Sequence, residues 1–113
     1  MSLTVRPWGT FETLHARDNY LIKRIVVHSK HRLSLQSHEC RAEHWVVVKG
    51  HGTIILGEDE IVCGPNTQVF IPKKTTHRII NSSDNELVFV EVQVGNFLSE
   101  DDIVRYEDDY ARM

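Results

Sequence analysis

The sequence is poor in almost everything that marks a secreted, membrane-spanning or nucleic-acid-binding protein. Cysteine is scarce. Cys40 and Cys63 form neither a disulfide framework nor a Cys-x-x-Cys pair, so a reducing cytoplasm is the expected compartment. No apolar run approaches the roughly 20 residues needed to span a bilayer, and no basic start leads into an apolar run. No membrane partner and no signal peptide are therefore expected. Basic residues are not in excess: 13 Lys and Arg stand against 16 Asp and Glu, for a formal net charge of −3. That balance argues against non-specific nucleic-acid binding, although a local basic pocket could still hold a phosphate. A Gly-rich loop that would cradle nucleotide phosphates is also missing, and 113 residues leave no room for a nucleotide-binding α/β domain. The length predicts a single domain over residues 1–113.

What is present is a series of short runs rich in Val, Ile, Thr and aromatic residues. They cover Tyr20–His28, Arg32–Gln36, Glu43–Lys49, Gly52–Leu56, Glu60–Cys63, Thr67–Ile71, His77–Asn81 and Leu87–Val94. Turn residues punctuate them: Gly50 with Gly52, Gly57-Glu58-Asp59, Gly64-Pro65-Asn66, Pro72, and Asn81-Ser82-Ser83-Asp84. Strands at this spacing predict an all-β sandwich or barrel, and a jelly roll closes well at this length. The opening Arg6-Pro7-Trp8-Gly9 is expected to lie over the barrel wall, with Trp8 covering apolar surface. Only the C-terminus reads as helical. Ser99-Glu100-Asp101-Asp102 suits a helix start, predicting a short helix over 101–112.

Gln36-Ser37-His38-Glu39-Cys40-Arg41-Ala42-Glu43 places a side-chain carbonyl, an imidazole and a carboxylate close together. Side chains alternate across a strand, so Gln36 and His38 can share a face. In the next strand Glu43, Trp45 and Val47 share the opposite face from His44 and Val46. His77 opens a later strand and can reach the same interior. Gln36, His38, Glu43 and His77 together suit a divalent metal, Zn²⁺ above all, with positions left open for substrate. Ni²⁺, Co²⁺, Mn²⁺ and Fe²⁺ also suit such donors. His15, His28, His31 and His51 have no comparable partners and read as surface residues; His44 reads as structural. Cys40 reads as a bystander in the connection, and Cys63 as a small core residue.

These residues resemble the cupin family. Cupins usually carry His-x-His followed by Glu and Gly, then a Pro-led turn into a final His. Here the corresponding residues are Gln36, His38, Glu43 and Gly50, then Pro72 through His77 to Asn81. Gln in place of the first His, with the Arg41-Ala42-Glu43-His44-Trp45 and Glu100-Asp101-Asp102-Ile103-Val104-Arg105 segments, is similar to the type II phosphomannose isomerase cupin. That unit is often the C-terminal domain of a bifunctional mannose-1-phosphate guanylyltransferase/mannose-6-phosphate isomerase. The sequence departs from the family at Glu39 and Cys40, where His is frequent, and at Lys74, where Gly is frequent.

The resemblance implies a metal-dependent interconversion of mannose 6-phosphate and fructose 6-phosphate by proton transfer between C1 and C2. It implies Glu91 as general base, on a face shared with Phe89 and Gln93, and Arg105 as an active-site cation. Glu91 reads equally as a buried structural carboxylate paired with an Arg. Lys23, Arg41 and Arg78 are candidates for holding the phosphate, each also readable as a solvated strand charge. A homodimer is expected, since pairing would protect exposed strand edges. Two alternatives stay open: a non-catalytic sugar-binding cupin, and another metal-dependent cupin enzyme such as a dioxygenase or sugar-phosphate epimerase.

Overall fold

Alternating apolar residues decide which face of each run is buried, and the chain folds accordingly into strands. The structure is a computed structural model and describes residues 3–110. The strands are β1 Leu3–Arg6, β2 Gly9–Ala16, β3 Tyr20–Val27, β4 His31–Arg32, β5 Leu35–Ser37, β6 Arg41–Lys49, β7 Gly52–Leu56, β8 Asp59–Cys63, β9 Gln68–Ile71, β10 His77–Asn81, β11 Leu87–Gly95 and β12 Val104–Glu107. One sheet runs β1-β2-β3-β11-β6-β9. The other runs β12-β5-β10-β7-β8, with β4 also paired to β10. All the pairings are antiparallel. The all-β expectation holds, and β7 and β10 have the expected bounds. The expected run Arg32–Gln36 is split into two short strands around Leu33 and Ser34.

The inner face is set by β6 and β11. In β6, Arg41, Glu43, Trp45 and Val47 are buried, while His44, Val46 and Val48 are exposed. In β11, Leu87, Phe89, Glu91 and Gln93 are buried on the matching face. The register aligns Gln93 with Glu43, Glu91 with Trp45 and Phe89 with Val47. On its other side β11 aligns Glu91 with Lys23 and Phe89 with Ile25. Directly opposed residues in a ladder share a face, so these alignments become rows across the interior. Trp8 enters the core at 6% exposure, in the turn between β1 and β2.

The expected C-terminal helix is a correction. The amide of Asp102 donates to Ser99 O at 3.1 Å, giving a single turn, and the chain then forms β12 against β5. Val104 and Tyr106 favour an extended chain, and the β5 edge offers backbone partners. The Asp102 carboxylate accepts from the amides of Glu39 and Cys40 and does not cap a helix of its own. Residues 111–113, into which the expected helix ran, lie outside the described residues.

Two backbone positions shape the turns. Gly50 has φ 86°, and a Cβ there would lie 2.3 Å from Glu86 O, so the turn from β6 into β7 requires glycine. Lys74, where glycine is frequent among cupins, has φ 66°; the left-handed turn before His77 is kept despite the side chain. No helix among the described residues is long and apolar enough to cross a membrane.

Candidate active site

His38, at the mouth of β6, Glu43 on β6 and His77 at the start of β10 converge inside the barrel. Their ligand-capable atoms all lie within 4.8 Å of one another, and all three residues are buried. His38 Nε2 is 3.3 Å from Glu43 Oε2, and His77 Nε2 is 3.7 Å from Glu43 Oε1. Each imidazole has its other nitrogen committed. His38 Nδ1 donates to Asp102 O at 2.7 Å and His77 Nδ1 to Thr75 O at 2.9 Å. Those bonds fix the tautomer that turns the Nε2 lone pair towards Glu43, the arrangement found behind metal-bound histidines; on His38 that lone pair accepts from Arg41 Nη2 at 3.3 Å. Burial, aided by the Arg41 guanidinium, holds the His38 imidazole down to about 4. Burial also lowers His77. Both rings are thus neutral at pH 7, as ligands must be. Two imidazoles and a carboxylate at these separations fit a divalent cation.

Gln36 lies on β5 directly opposite His77 on one side and Arg105 on the other, so all three project from one face. Its amide nitrogen donates to Ser34 Oγ at 3.1 Å and to Ser34 O at 3.3 Å, which leaves the carbonyl oxygen as the free end. Beside it opens a cavity of about 490 Å³. Gln36, His38, Lys23, Arg41, Glu91 and Arg105 all line it, so the structure brings these expected site residues together. Glu43 and His77 lie behind the lining, reached through His38.

Glu91 sits at the back of this cavity. Trp45 Nε1 donates both to Glu91 Oε2 at 3.1 Å and to Glu43 Oε1 at 3.0 Å, so one N–H joins the two carboxylates. Gln93 Nε2 donates to Glu91 Oε1 at 2.6 Å. Burial, with the Glu43 charge adding to it, pushes Glu91 up to about 7. The alternative of an Arg-paired structural carboxylate is not what the structure shows, since its partners are Trp45 and Gln93.

The cations differ in their commitments. Arg41 is buried, with Nε on Glu43 Oε2 at 2.8 Å, Nη2 3.3 Å from His38 Nε2 and Nη1 on Ser99 O at 3.2 Å. Lys23 is buried to 6% exposure yet pairs with the exposed Glu100 at 2.5 Å, and lies over the Phe11 ring. Arg105 Nε is buried with no hydrogen-bond partner among the described residues. Arg78 is placed elsewhere. His77 faces the interior, so its neighbour Arg78 faces away. Its Nε donates to Leu33 O and its Nη1 to Glu107, and it does not line the cavity. Trp45, Gln93, Glu100 and Asp102 are site residues that sequence reasoning did not single out. Strand alternation puts Gln93 on the Glu91 face; Asp102 stands in the Glu100–Arg105 segment, but nothing in the sequence shows that it binds the Glu39 and Cys40 amides.

The comparisons with known proteins agree with this geometry. A family model described as mannose-6-phosphate isomerase C-terminal matches residues 2–108. The xanthan biosynthesis protein XanB of Xanthomonas campestris pv. campestris is 43% identical over 107 residues, 95% of this chain and 23% of that protein. A mannose-1-phosphate guanylyltransferase of Escherichia coli K12 is 42% identical over 108 residues, 96% of this chain and 23% of that protein. The chain thus spans about a quarter of the length of these curated relatives. Among solved structures, the capsular polysaccharide assembling protein CapF from Staphylococcus aureus superposes with a TM-score of 0.80 at 20% identity, over 94% of this chain and 34% of that one. A cupin-2 domain from Rhodospirillum rubrum superposes with a TM-score of 0.72 at 19% identity, over 88% of this chain and 70% of that one. At such identities the likeness is one of fold.

Proposed function

The chain belongs to the mannose-6-phosphate isomerase C-terminal family, on a cupin barrel, and from that premise we propose that its cavity interconverts mannose 6-phosphate and fructose 6-phosphate. The observation that carries this reading is one cavity holding a buried carboxylate, Glu91, beside the His38–Glu43–His77 cluster and lined by four cations, Arg6, Lys23, Arg41 and Arg105. An aldose–ketose isomerisation needs those parts. One proton leaves C2 and returns to C1, and a hydroxyl proton passes from O2 to O1.

Glu91 is the proposed base. A carboxylate raised to about 7 is half ionised near neutrality, where the balance between availability and proton affinity is best. Trp45 and Gln93 hold both of its oxygens, so it meets the substrate in a fixed orientation. Arg105, with an unused buried donor, and Arg41 offset the negative charge that develops on the enediolate oxygens. Lys23 is placed to hold the phosphate once Glu100 yields it. His38, Glu43 and His77, with the Gln36 carbonyl, would hold the metal, with Zn²⁺ the best match to these donors. When bound, it supplies Lewis-acid polarisation of the sugar oxygens.

The test is elemental analysis of the untreated protein, followed by a coupled isomerase assay and deuterium exchange at C2 of mannose 6-phosphate. Turnover with exchange is expected, with metal content sharply reduced in His38→Ala and His77→Ala and unchanged in His51→Ala. Metal-loaded protein showing neither exchange nor turnover would assign the cavity to sugar binding alone.

A further inference from the structure

His38 lies in the connection between β5 and β6 and has no ladder partner in either sheet. Something else must hold its ring in place. One residue, Asp102, bonds to three consecutive residues of that connection. Its backbone carbonyl accepts from His38 Nδ1 at 2.7 Å. Its carboxylate accepts from the Glu39 amide at 2.9 Å through Oδ1 and from the Cys40 amide at 3.0 Å through Oδ2. Asp102 is itself 9% exposed and tied back by its amide to Ser99 O. The segment leading into Asp102 is clasped at two further points. Arg41 Nη1 donates to Ser99 O, and Lys23 pairs with Glu100.

A carboxylate that accepts from two successive amides makes charge-assisted bonds and fixes their relative orientation. Loops held in this way do not rotate freely, so the imidazole they carry cannot swing off its lone-pair direction. The carbonyl of the same residue selects the tautomer. We infer that Asp102 is a positioning residue of the metal centre: it donates no ligand, but its carboxylate locks residues 38–40 and its carbonyl orients His38. Segment 99–102 is by this inference part of the site. The inference rests on the metal reading given above, and a purely structural Asp102 is the rival it must beat.

The experiment uses Co²⁺ as the probe on the whole chain, in wild type, Asp102→Asn, Asp102→Ala and His38→Ala. Two quantities are read: the Co²⁺ dissociation constant by chelator competition, and the visible absorption spectrum of the Co²⁺ form, which reports ligand geometry. Thermal midpoints of the metal-free proteins are recorded alongside. Asp102→Ala should bind Co²⁺ about 10- to 100-fold more weakly and with an altered spectrum, the usual cost of losing an outer partner of a ligand. Asp102→Asn keeps the side-chain shape and one acceptor oxygen, so it should remain folded and fall between the two. If both Asp102 variants melt earlier yet bind Co²⁺ with wild-type affinity and spectrum, Asp102 is scaffold; the inference is overturned and the metal reading stands. If wild type fails to bind Co²⁺, or His38→Ala binds as well as wild type, the metal reading itself falls and takes the inference with it.

Discussion

The two ends of the barrel interior are made by the same strands and differ completely in chemistry. Along β3 the buried row passes from Lys23 to Ile25 and Val27. Along β10 it passes from His77 to Ile79, and along β6 from Glu43 to Val47. β11 runs the other way, from Leu87 and Phe89 to Glu91 and Gln93, as its antiparallel pairing demands. One end is therefore an apolar core, closed by the hydrogen-bonded Asn81, and the other a buried polar site, with Trp45 at the boundary, tilted against Phe89 at 4.6 Å between ring centroids and bonded to Glu43 and Glu91. Burial is equally deep at both ends. What differs is what burial does: it stabilises the apolar end and shifts His38, His77 and Glu91 at the other.

That division can be broken from either side. Phe89→Ala, in the apolar half, should cost the most: about 3–5 kcal/mol in urea unfolding, from lost transfer energy plus a cavity. Co²⁺ affinity of the folded fraction should not move. A comparable loss of affinity would mean that the two halves are not separable.

Acid should act on the histidines of the polar half. In metal-free protein His38 protonates at about 4, against about 6.5 when unfolded, and His77 shifts in the same direction. The unfolded chain then binds more protons between those values, so the native state loses stability as pH falls from 6.5 towards 4. His38 contributes on the order of 3 kcal/mol to that loss. Glu91 has the opposite sign. Raised to about 7, it stays protonated in the fold after the unfolded carboxyl has ionised near 4.5, so stability is lost as pH rises from 4.5 to 7. Urea midpoints across pH 4–8 should show a flattened acid limb in His38→Gln and a flattened neutral limb in Glu91→Gln. Curves parallel to wild type would remove the titration argument.

Glu91→Gln should also lower kcat for isomerisation by at least about 100-fold, the range for loss of a general base, with metal content unchanged. Label exchange at C2 persisting at the wild-type rate would return Glu91 to scaffold.

The smallest effect lies in the turn before His77, where the Lys74 amide donates to His38 O at 2.7 Å. Lys74→Gly should raise stability by roughly 1 kcal/mol or less, since φ 66° strains a residue with a Cβ while glycine gains entropy in the unfolded chain. A loss of stability would show that the Lys74 side chain has a role of its own.

Much of this division was legible in the sequence. Val, Ile and aromatic alternation located most strands of the two sheets, and the inward set Glu43-Trp45-Val47 followed from period two alone. The clustering of His38, Glu43 and His77 was legible because Glu43 and His77 fall on inward strand positions and His38 lies just after β5. The hairpin of β1 and β2 was not. Gly9-Thr-Phe-Glu-Thr-Leu-His-Ala16 has weak alternation and a register shift between Thr13 and His15. Nor was β12, because Ser99-Glu100-Asp101-Asp102 carries the residues of a helix start, and only the tertiary contact with the Glu39 and Cys40 amides shows what Asp102 binds. Arg78 follows the alternation that turns Glu43 inward: next to the inward His77 it faces away, towards Leu33 O and Glu107.

The Asp102 contact also makes the site observable in time. The amide protons of Glu39 and Cys40 bond to a carboxylate 63 and 62 residues away in sequence and to no strand of either sheet. Strand amides in the apolar core exchange with solvent only through large openings, whereas these two exchange whenever segment 99–102 lifts. Their protection factors therefore measure how often the cavity loses its C-terminal wall, on the resting protein, with no substrate and no mutation. Slower exchange on adding metal or sugar phosphate would report directly that the ligand closes that wall.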